Sequence, residues 1–440
     1  MLVTKLEAVV VNEAVEKAKK FTGRLNFIDF VRGIIMIIMA WDHVSGFWNQ
    51  YHHGGEGILG RAPPFINTTW FLLRFVSHYC APTFIFLAGT VLAISIARRL
   101  GQGESEKKIT LHLIKRGLVL LYLEAALVSP AFSLPWTYFG VIACIGVCFI
   151  IFSVARKLPP SVILVASLLI VLNEPFLNLD FIPMNVNWGR YLRIIINEPN
   201  FERFPYFGLY PIIPWIGVMG LGWSLGTFLE SKSRGEIAAL RNRFLATGIG
   251  SIVMFTVVRF INGYGNLLPR TGNTLIEWLY VSKYPPSVAF LLWSLGGMCI
   301  FLTIGLLLEE RGLIENRFVA GVLTIGRNPL FFYVTHLWLY RARWPDYTPG
   351  GTGPPQFHDL PVIQYGEQVA NDVLEAEVAA LNQWDTLRRS DKLDGQSLQG
   401  LSGGAARTLD QTALVYGLID ANAVGSGPRH GFFPSGRRCS

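Results

Sequence analysis

Asp29-Phe30-Val31-Arg32-Gly33 opens a stretch that runs through the apolar residues 34–41 and closes on Asp42-His43. At 3.6 residues per turn it reads as one apolar helix with an ionisable group near each end. Arg32 and His43 are eleven residues apart. At roughly 100° per residue that is three turns plus about 20°, so the two side chains share a face about 16 Å apart along the axis. Asp29 falls near the same stripe and is spaced to pair with Arg32. Ionisable groups in an apolar span are costly, so they are expected to face a protein interior or a wet cavity and to mark a site. The plainer alternative is a pair of interfacial residues snorkelling from the two helix ends.

The rest of the chain agrees with a membrane setting. Its 440 residues are 51% hydrophobic and only 15% charged, and the mean hydropathy is +0.38. That composition is too apolar for a soluble globular protein and suits a polytopic membrane protein. The net charge of +8 gathers in particular loops, which makes it a topology signal and not a nucleic-acid footprint. Five cysteines form no CxxC pair, and no His/Cys cluster has the spacing of a metal site.

Runs long enough to span are expected near 25–47, 69–97, 110–129, 137–154, 160–174, 209–229, 245–262, 286–308 and 318–340. The fold class is therefore all-α: a polytopic bundle of about nine transmembrane helices. Residues 1–23 read as an amphipathic leader, 24–343 as the membrane domain, and 344–440 as a polar, poorly ordered tail that does not span. If the helices alternate, Lys17, Lys19, Lys20 and Arg24, the bases from Arg98 to Arg116, Arg156 and Lys157, and those from Lys232 to Arg243 all fall on one side. That side is cytoplasmic by the positive-inside rule, together with the N-terminus. Arg32 then lies toward the cytoplasm and His43 toward the far face. Arg341 and Arg343 sit badly with that map: either a helix is miscounted or the tail is foreign to the membrane domain.

His43 is the leading candidate for a general base, since its ordinary pKa lies near working pH. Asp42 adjoins it, about 100° round the helix. His52 and His53 follow in the next loop, and either is an alternative base, with His43 or Asp42 polarising the acceptor. Arg74 and His78 are i, i+4 neighbours and are expected to line the cavity above His43. Pro82 and Gly89 permit a kink and a close helix approach. Arg116 and Glu124 share a face of the third span, and Glu124 is deep enough to need a partner. The two prolines of Tyr210-Pro211-Ile212-Ile213-Pro214 suit a helix start or a broken helix lining a site. Asn328-Pro329 reads as an N-cap with proline at the first helical position, and Tyr333 and His336 are spaced to face one cavity.

Four stretches in order carry a resemblance: Arg24–Gly33 with His43, Ala81–Gly89, Ile213–Gly217 and Gly326–His336. Together they resemble the membrane domain of the heparan-α-glucosaminide N-acetyltransferase family and its bacterial relatives, over about 24–340. The Arg32-to-His43 spacing is also similar to a signature of the wider transmembrane acyltransferase superfamily. The resemblance implies an acyl-CoA donor, acetyl-CoA foremost, on the cytoplasmic face, and a sugar hydroxyl or amine as acceptor beyond a multi-pass plasma-membrane domain. It implies catalysis by His43, His52 or His53 with Asp42. Asp29, Arg32, Arg74, His78, Arg116, Asn328 and His336 would serve binding, with no metal. In the lysosomal member an asparagine stands where His43 aligns, and the catalytic histidine lies in the following loop, which here offers His52 and His53. The expected partners are the lipid bilayer and a glycan, not nucleic acid, and a homo-oligomer is compatible with the sequence. The competing reading is a transporter or flippase that uses the same buried groups as a translocation path.

Overall fold

The computed structural model describes residues 24–48, 68–173, 179, 181–183, 185–198 and 208–343. The chain divides into two units, Met1–Asn382 and Gln383–Ser440, and every described residue lies in the first. The leader 1–23, His52, His53 and the tail 344–440 lie outside the described residues.

The described residues are helical. Helix α1 is Asn26–Trp48, α2 is Thr68–Phe75 and α3 is Cys80–Gly101, the last two joined by the 3-10 turn Val76–Tyr79. Helix α4 is Glu106–Leu123 and α5 is Val141–Ala155, followed by α6 (Pro160–Asn173), α7 (Asn187–Ile196) and α8 (Ile212–Glu230). Next come α9 (Arg234–Ala239), α10 (Arg241–Ile261), α11 (Leu275–Leu279) and α12 (Val288–Glu310), then α13 (Arg317–Arg327) and α14 (Pro329–Arg343). The only extended pairings among these residues are two isolated bridges, Phe139 with Gly208 and Lys283 with Pro286.

A helix stands at each span read from the sequence, but three differ in form. The segment read as one helix over 318–340 breaks at Asn328 and bends by 91°. Proline has no N–H and its ring crowds the carbonyl four residues back, so Pro329 starts a new helix instead of continuing α13. Asn328 finishes α13: its Nδ2 donates to the Thr324 carbonyl at 3.2 Å. The second departure is a π turn, Glu124–Val128, at the end of α4. Pro130 removes the next α-type donor there, and the Glu124 carbonyl instead accepts from Ser129, through its backbone N–H and its Oγ at 2.8 Å. The third is the 3-10 turn before α3, which places Pro82 in the first turn of a helix and not at its middle.

Among the described residues, four helical stretches are long and apolar enough to cross a membrane: Thr68–Gly101, Ile212–Glu230, Arg234–Ile261 and Val288–Glu310. The bent pair α13–α14 makes a fifth if it counts as one span. Length and apolarity thus support a membrane bundle without establishing nine spans. Only 22% of the apolar window of Arg234–Ile261 is buried inside the protein, so Ile249, Val253 and Phe260 are exposed. In water such a face would be a large apolar patch; lipid covers it at no cost.

Helix α1 is the hub, packed against α3, α12, α13 and α14. Its contact with α13 is backbone-close: a Cβ on Gly326 would lie 1.8 Å from the Asp29 carbonyl oxygen, and one on Gly33 would lie 2.0 Å from that of Val322. Glycine is needed at both positions for the helices to meet. Helices α3 and α8 pair in the same way, with Gly89 against the Met219 carbonyl, as the sequence around Gly89 predicts.

Candidate active site at the His43 end of α1

The bend at Asn328 turns α14 so that it lies against the far end of α1. Tyr340 Oη donates to the Ala40 carbonyl at 3.3 Å and fixes the register of the two helices. One turn before Tyr340, His336 meets His43. His43 Nδ1 and His336 Nε2 are 2.8 Å apart, and the rings are stacked within 10° of parallel with centroids 5.1 Å apart. His336 Nδ1 lies 2.7 Å from the Phe332 carbonyl oxygen.

These two contacts fix the protons. A carbonyl oxygen only accepts, so His336 carries its proton on Nδ1. In the neutral ring its Nε2 is then a lone pair, and His43 must donate from Nδ1. That leaves His43 Nε2 as the basic atom of the pair. His336 is fully buried, whereas His43 is half-exposed, so the basic atom belongs to the accessible ring. Phe132 and Tyr333 press edge-on against His43, with centroids at 5.4 and 5.8 Å, and limit its rotation.

Asp42 turns away from this pair to Arg74. Arg74 Nη1 donates to Asp42 Oδ1 at 2.6 Å and to Ser77 Oγ at 2.6 Å. Ser77 Oγ in turn donates to the Arg74 carbonyl at 2.9 Å. Arg74 is buried, so the carboxylate and guanidinium neutralise each other in low dielectric. The buried Lys283 lies in the same neighbourhood, since Asp42, Arg74 and Lys283 are all within electrostatic reach of the Cys80 thiol. His78 is buried under Phe75 and Phe290, with Nδ1 donating to the Phe75 carbonyl at 2.9 Å.

At the opposite end of α1, Asp29 collects two arginines. Arg32 Nη1 is 3.6 Å from Asp29 Oδ1, the pairing that the i, i+3 spacing predicts, and Arg24 also binds this carboxylate. Arg327 Nη2 reaches Asn26 Oδ1 at 3.5 Å. Arg116 stands over the Phe149 ring at 5.2 Å, bracing α4 on α5. Among the described residues, no group of three His, Cys, Asp or Glu side chains is placed to hold a metal ion.

The structure therefore sorts the residues singled out in the sequence. It joins His43 to His336 and Asp42 to Arg74, and it groups Asp29 with Arg32 near Arg24. His78 and Asn328 bond to local carbonyls, and His52 and His53 lie outside the described residues. Sequence reading missed the His43–His336 partnership, which spans 293 positions. It also missed Tyr138, Tyr284 and Lys283, which sit beside the site on loops without a periodic pattern. Tyr333 and His336 at i, i+3 were the available signal, and both do reach His43.

The bundle places a proton-ordered histidine pair at one end of α1 and arginines at the other, and the family match assigns it to the membrane acyltransferase type. The chain belongs to the heparan-alpha-glucosaminide N-acetyltransferase catalytic-domain family, whose model matches residues 24–254. The match covers His43, Arg74 and Glu124 and stops before α14, so it does not include His336. No protein of curated function matches the chain.

Proposed function

We propose that this protein transfers an acetyl group from acetyl-CoA to an amine or hydroxyl of a sugar, with His43 Nε2 as general base. The observation that carries the reading is the His43–His336 pair, whose hydrogen-bond order leaves a lone pair on His43 Nε2 and none on its Nδ1. The acceptor nitrogen or oxygen attacks the thioester carbonyl carbon while His43 Nε2 takes its proton. The C–S bond then breaks, and the proton passes from His43 to the leaving thiolate. His336 holds the His43 ring and accepts from Nδ1–H throughout, so the imidazolium formed in the transition state keeps a hydrogen-bond partner.

Arg32 near the arginine end and His43 near the other lie about 16 Å apart along α1, which suits a donor entering from the cytoplasm and an acceptor on the far side. Arg24, Arg32 and Arg327 supply cations for donor phosphates, joined by Arg98, Arg99, Lys115 and Arg116 at helix ends. Arg74 is the candidate to stabilise the oxyanion, held in place by Asp42. On this reading the protein is a multi-pass protein of the plasma membrane with a cytoplasmic N-terminus.

The test is acetylation by the purified full chain in detergent, with acetyl-CoA as donor and glucosamine and methyl glucoside as amine and hydroxyl probes. Acetylated sugar, detected by mass spectrometry and lost in His43→Ala, supports the reading. No acetylated product from either sugar, with flux of a polar solute in proteoliposomes independent of acetyl-CoA, supports the transporter instead.

A further inference from the structure

Beside the histidine pair, polar side chains from separate segments converge on a buried carboxyl group that the mechanism above leaves unused. Glu124 sits on the π turn, 1% exposed. Its Oε2 accepts from the Ala143 N–H at 2.8 Å, in the first turn of α5. Its Oε1 is buried and has no hydrogen-bond partner among the described residues. A helix start satisfied by one carboxylate oxygen is ordinary capping. A second buried carboxylate oxygen without a partner is not, because an unmade hydrogen bond there costs the full desolvation of that atom.

The surroundings are chemically coherent. The Glu124 carboxyl lies within electrostatic reach of the Tyr138 and Tyr333 hydroxyls, and Tyr284 within reach of both tyrosines. Tyr210 Oη and Tyr284 Oη are 3.3 Å apart. The Phe139–Gly208 bridge sets the Tyr138 and Tyr210 segments side by side, with Leu209 N–H donating to the Phe139 carbonyl at 3.2 Å. Tyr333 is the same ring that presses edge-on against His43, so the cluster adjoins the proposed base. Tyr138 is partly exposed. The space in front of Oε1 depends on Gly140, where a Cβ would lie 2.5 Å from that oxygen and 2.6 Å from Tyr138 Cε1.

We propose that Glu124 is a specificity-determining residue that binds the acceptor. Its Oε1 accepts a hydrogen bond from a hydroxyl of the sugar other than the group being acylated, and the hydroxyl of the neighbouring Tyr138 makes a second bond to the same sugar. Phenol hydroxyls beside a carboxylate match a ligand that presents several hydroxyls, which is a polyhydroxylated ring. π turns inside helices are frequent at functional sites, and here the turn is what aims the Glu124 side chain at the start of α5. This rests on the acyl-transfer reading given above.

The experiment compares wild type, Glu124→Gln and Tyr138→Phe as full chains in detergent, with acetyl-CoA and whichever of glucosamine or methyl glucoside the wild type acetylates. Glutamine keeps an oxygen for the Ala143 N–H, and phenylalanine keeps the ring at a half-exposed position, so at least one variant stays folded by melting temperature. The expected result is a sugar KM raised about tenfold or more in Glu124→Gln and about threefold or more in Tyr138→Phe, as for loss of one buried hydrogen bond. The KM for acetyl-CoA and its slow hydrolysis without sugar stay within about twofold. An unchanged sugar KM in folded variants overturns the inference and leaves the acyl-transfer reading standing. A fall in hydrolysis and transfer together, with sugar KM unmoved, makes Glu124 a helix cap alone and also overturns it. Absence of any sugar acetylation by the wild type overturns both.

Discussion

His43 donates from Nδ1 to His336 Nε2 across 2.8 Å, and the direction of that bond is set at the far side of the second ring, by the Phe332 carbonyl. A backbone atom of α14 thus decides which nitrogen of a side chain on α1 is basic. The arrangement has the logic of a base oriented by a third group, with a carbonyl and a neutral imidazole in place of a carboxylate.

If His43 is the base, His336 acts as a positioning residue, and its removal should affect rate more than binding. His336→Phe fills the same space without the acceptor atom and is expected to lower kcat about a hundredfold, with the KM for acetyl-CoA unchanged. His336→Gln, which restores a polar acceptor, should recover part of that loss. Steady-state kinetics of the three proteins at equal folded fraction checks this.

Asp42 and Arg74 should behave as one unit. Arg74→Met leaves a carboxylate with 15% side-chain exposure facing an apolar group, at a cost of about 3 kcal/mol or more. The double variant Asp42→Asn/Arg74→Met is expected to lose less than the sum of the single losses, by about 1 kcal/mol or more. Denaturation midpoints in detergent give the cycle. A kcat for Arg74→Met that falls further than its folded fraction would assign Arg74 to the oxyanion as well.

Two glycines of one helix make a matched pair of opposite sign. Gly326→Ala must push α13 off α1, because the new methyl meets the Asp29 carbonyl, and is expected to cost about 2 kcal/mol or more. Gly321→Ala, where nothing stands within 4 Å, should stabilise by about 0.5 kcal/mol through helix propensity. Melting temperatures of the two variants should move in opposite directions.

Arg259 holds the segment between α10 and α12. It donates to the Trp278 and Leu268 carbonyls at 2.9 Å and to Asn266 Oδ1 at 2.7 Å, and also bonds the Glu277 carbonyl. Arg259→Leu strands these acceptors and should destabilise by about 3 kcal/mol or more. Hydrogen exchange is expected to rise first over residues 262–287, which carry Lys283 and Tyr284.

The bundle was legible in the sequence because long apolar runs and loop charge are local signals, and the Arg32–Asp29 pair was legible because i, i+3 spacing is local too. Gly89 announced its close helix contact for the same reason. The break at Asn328 was half-legible: Asn328-Pro329 marked a helix start, but apolarity on both sides suggested one continuous span over 318–340. Local spacing said nothing of the partner of His43, since no pattern ties a residue to another 293 positions away. Asp42 and Arg74 lie on different helices, so no local spacing announces their pairing. Glu124 is legible as a deep carboxyl that needs a partner, but the Ala143 N–H that bonds its Oε2 comes from the next helix. The family match, over 24–254, supplies what the geometry alone does not: the kind of group transferred.

The most direct measurement is acetyl transfer from acetyl-CoA to sugar by His43→Ala, with and without added imidazole. A general base at His43 predicts a fall in kcat of roughly 10²- to 10⁴-fold with unchanged melting temperature, and partial recovery that rises with imidazole concentration. A folded His43→Ala whose rate stays within about threefold of wild type, with no response to imidazole, would contradict it.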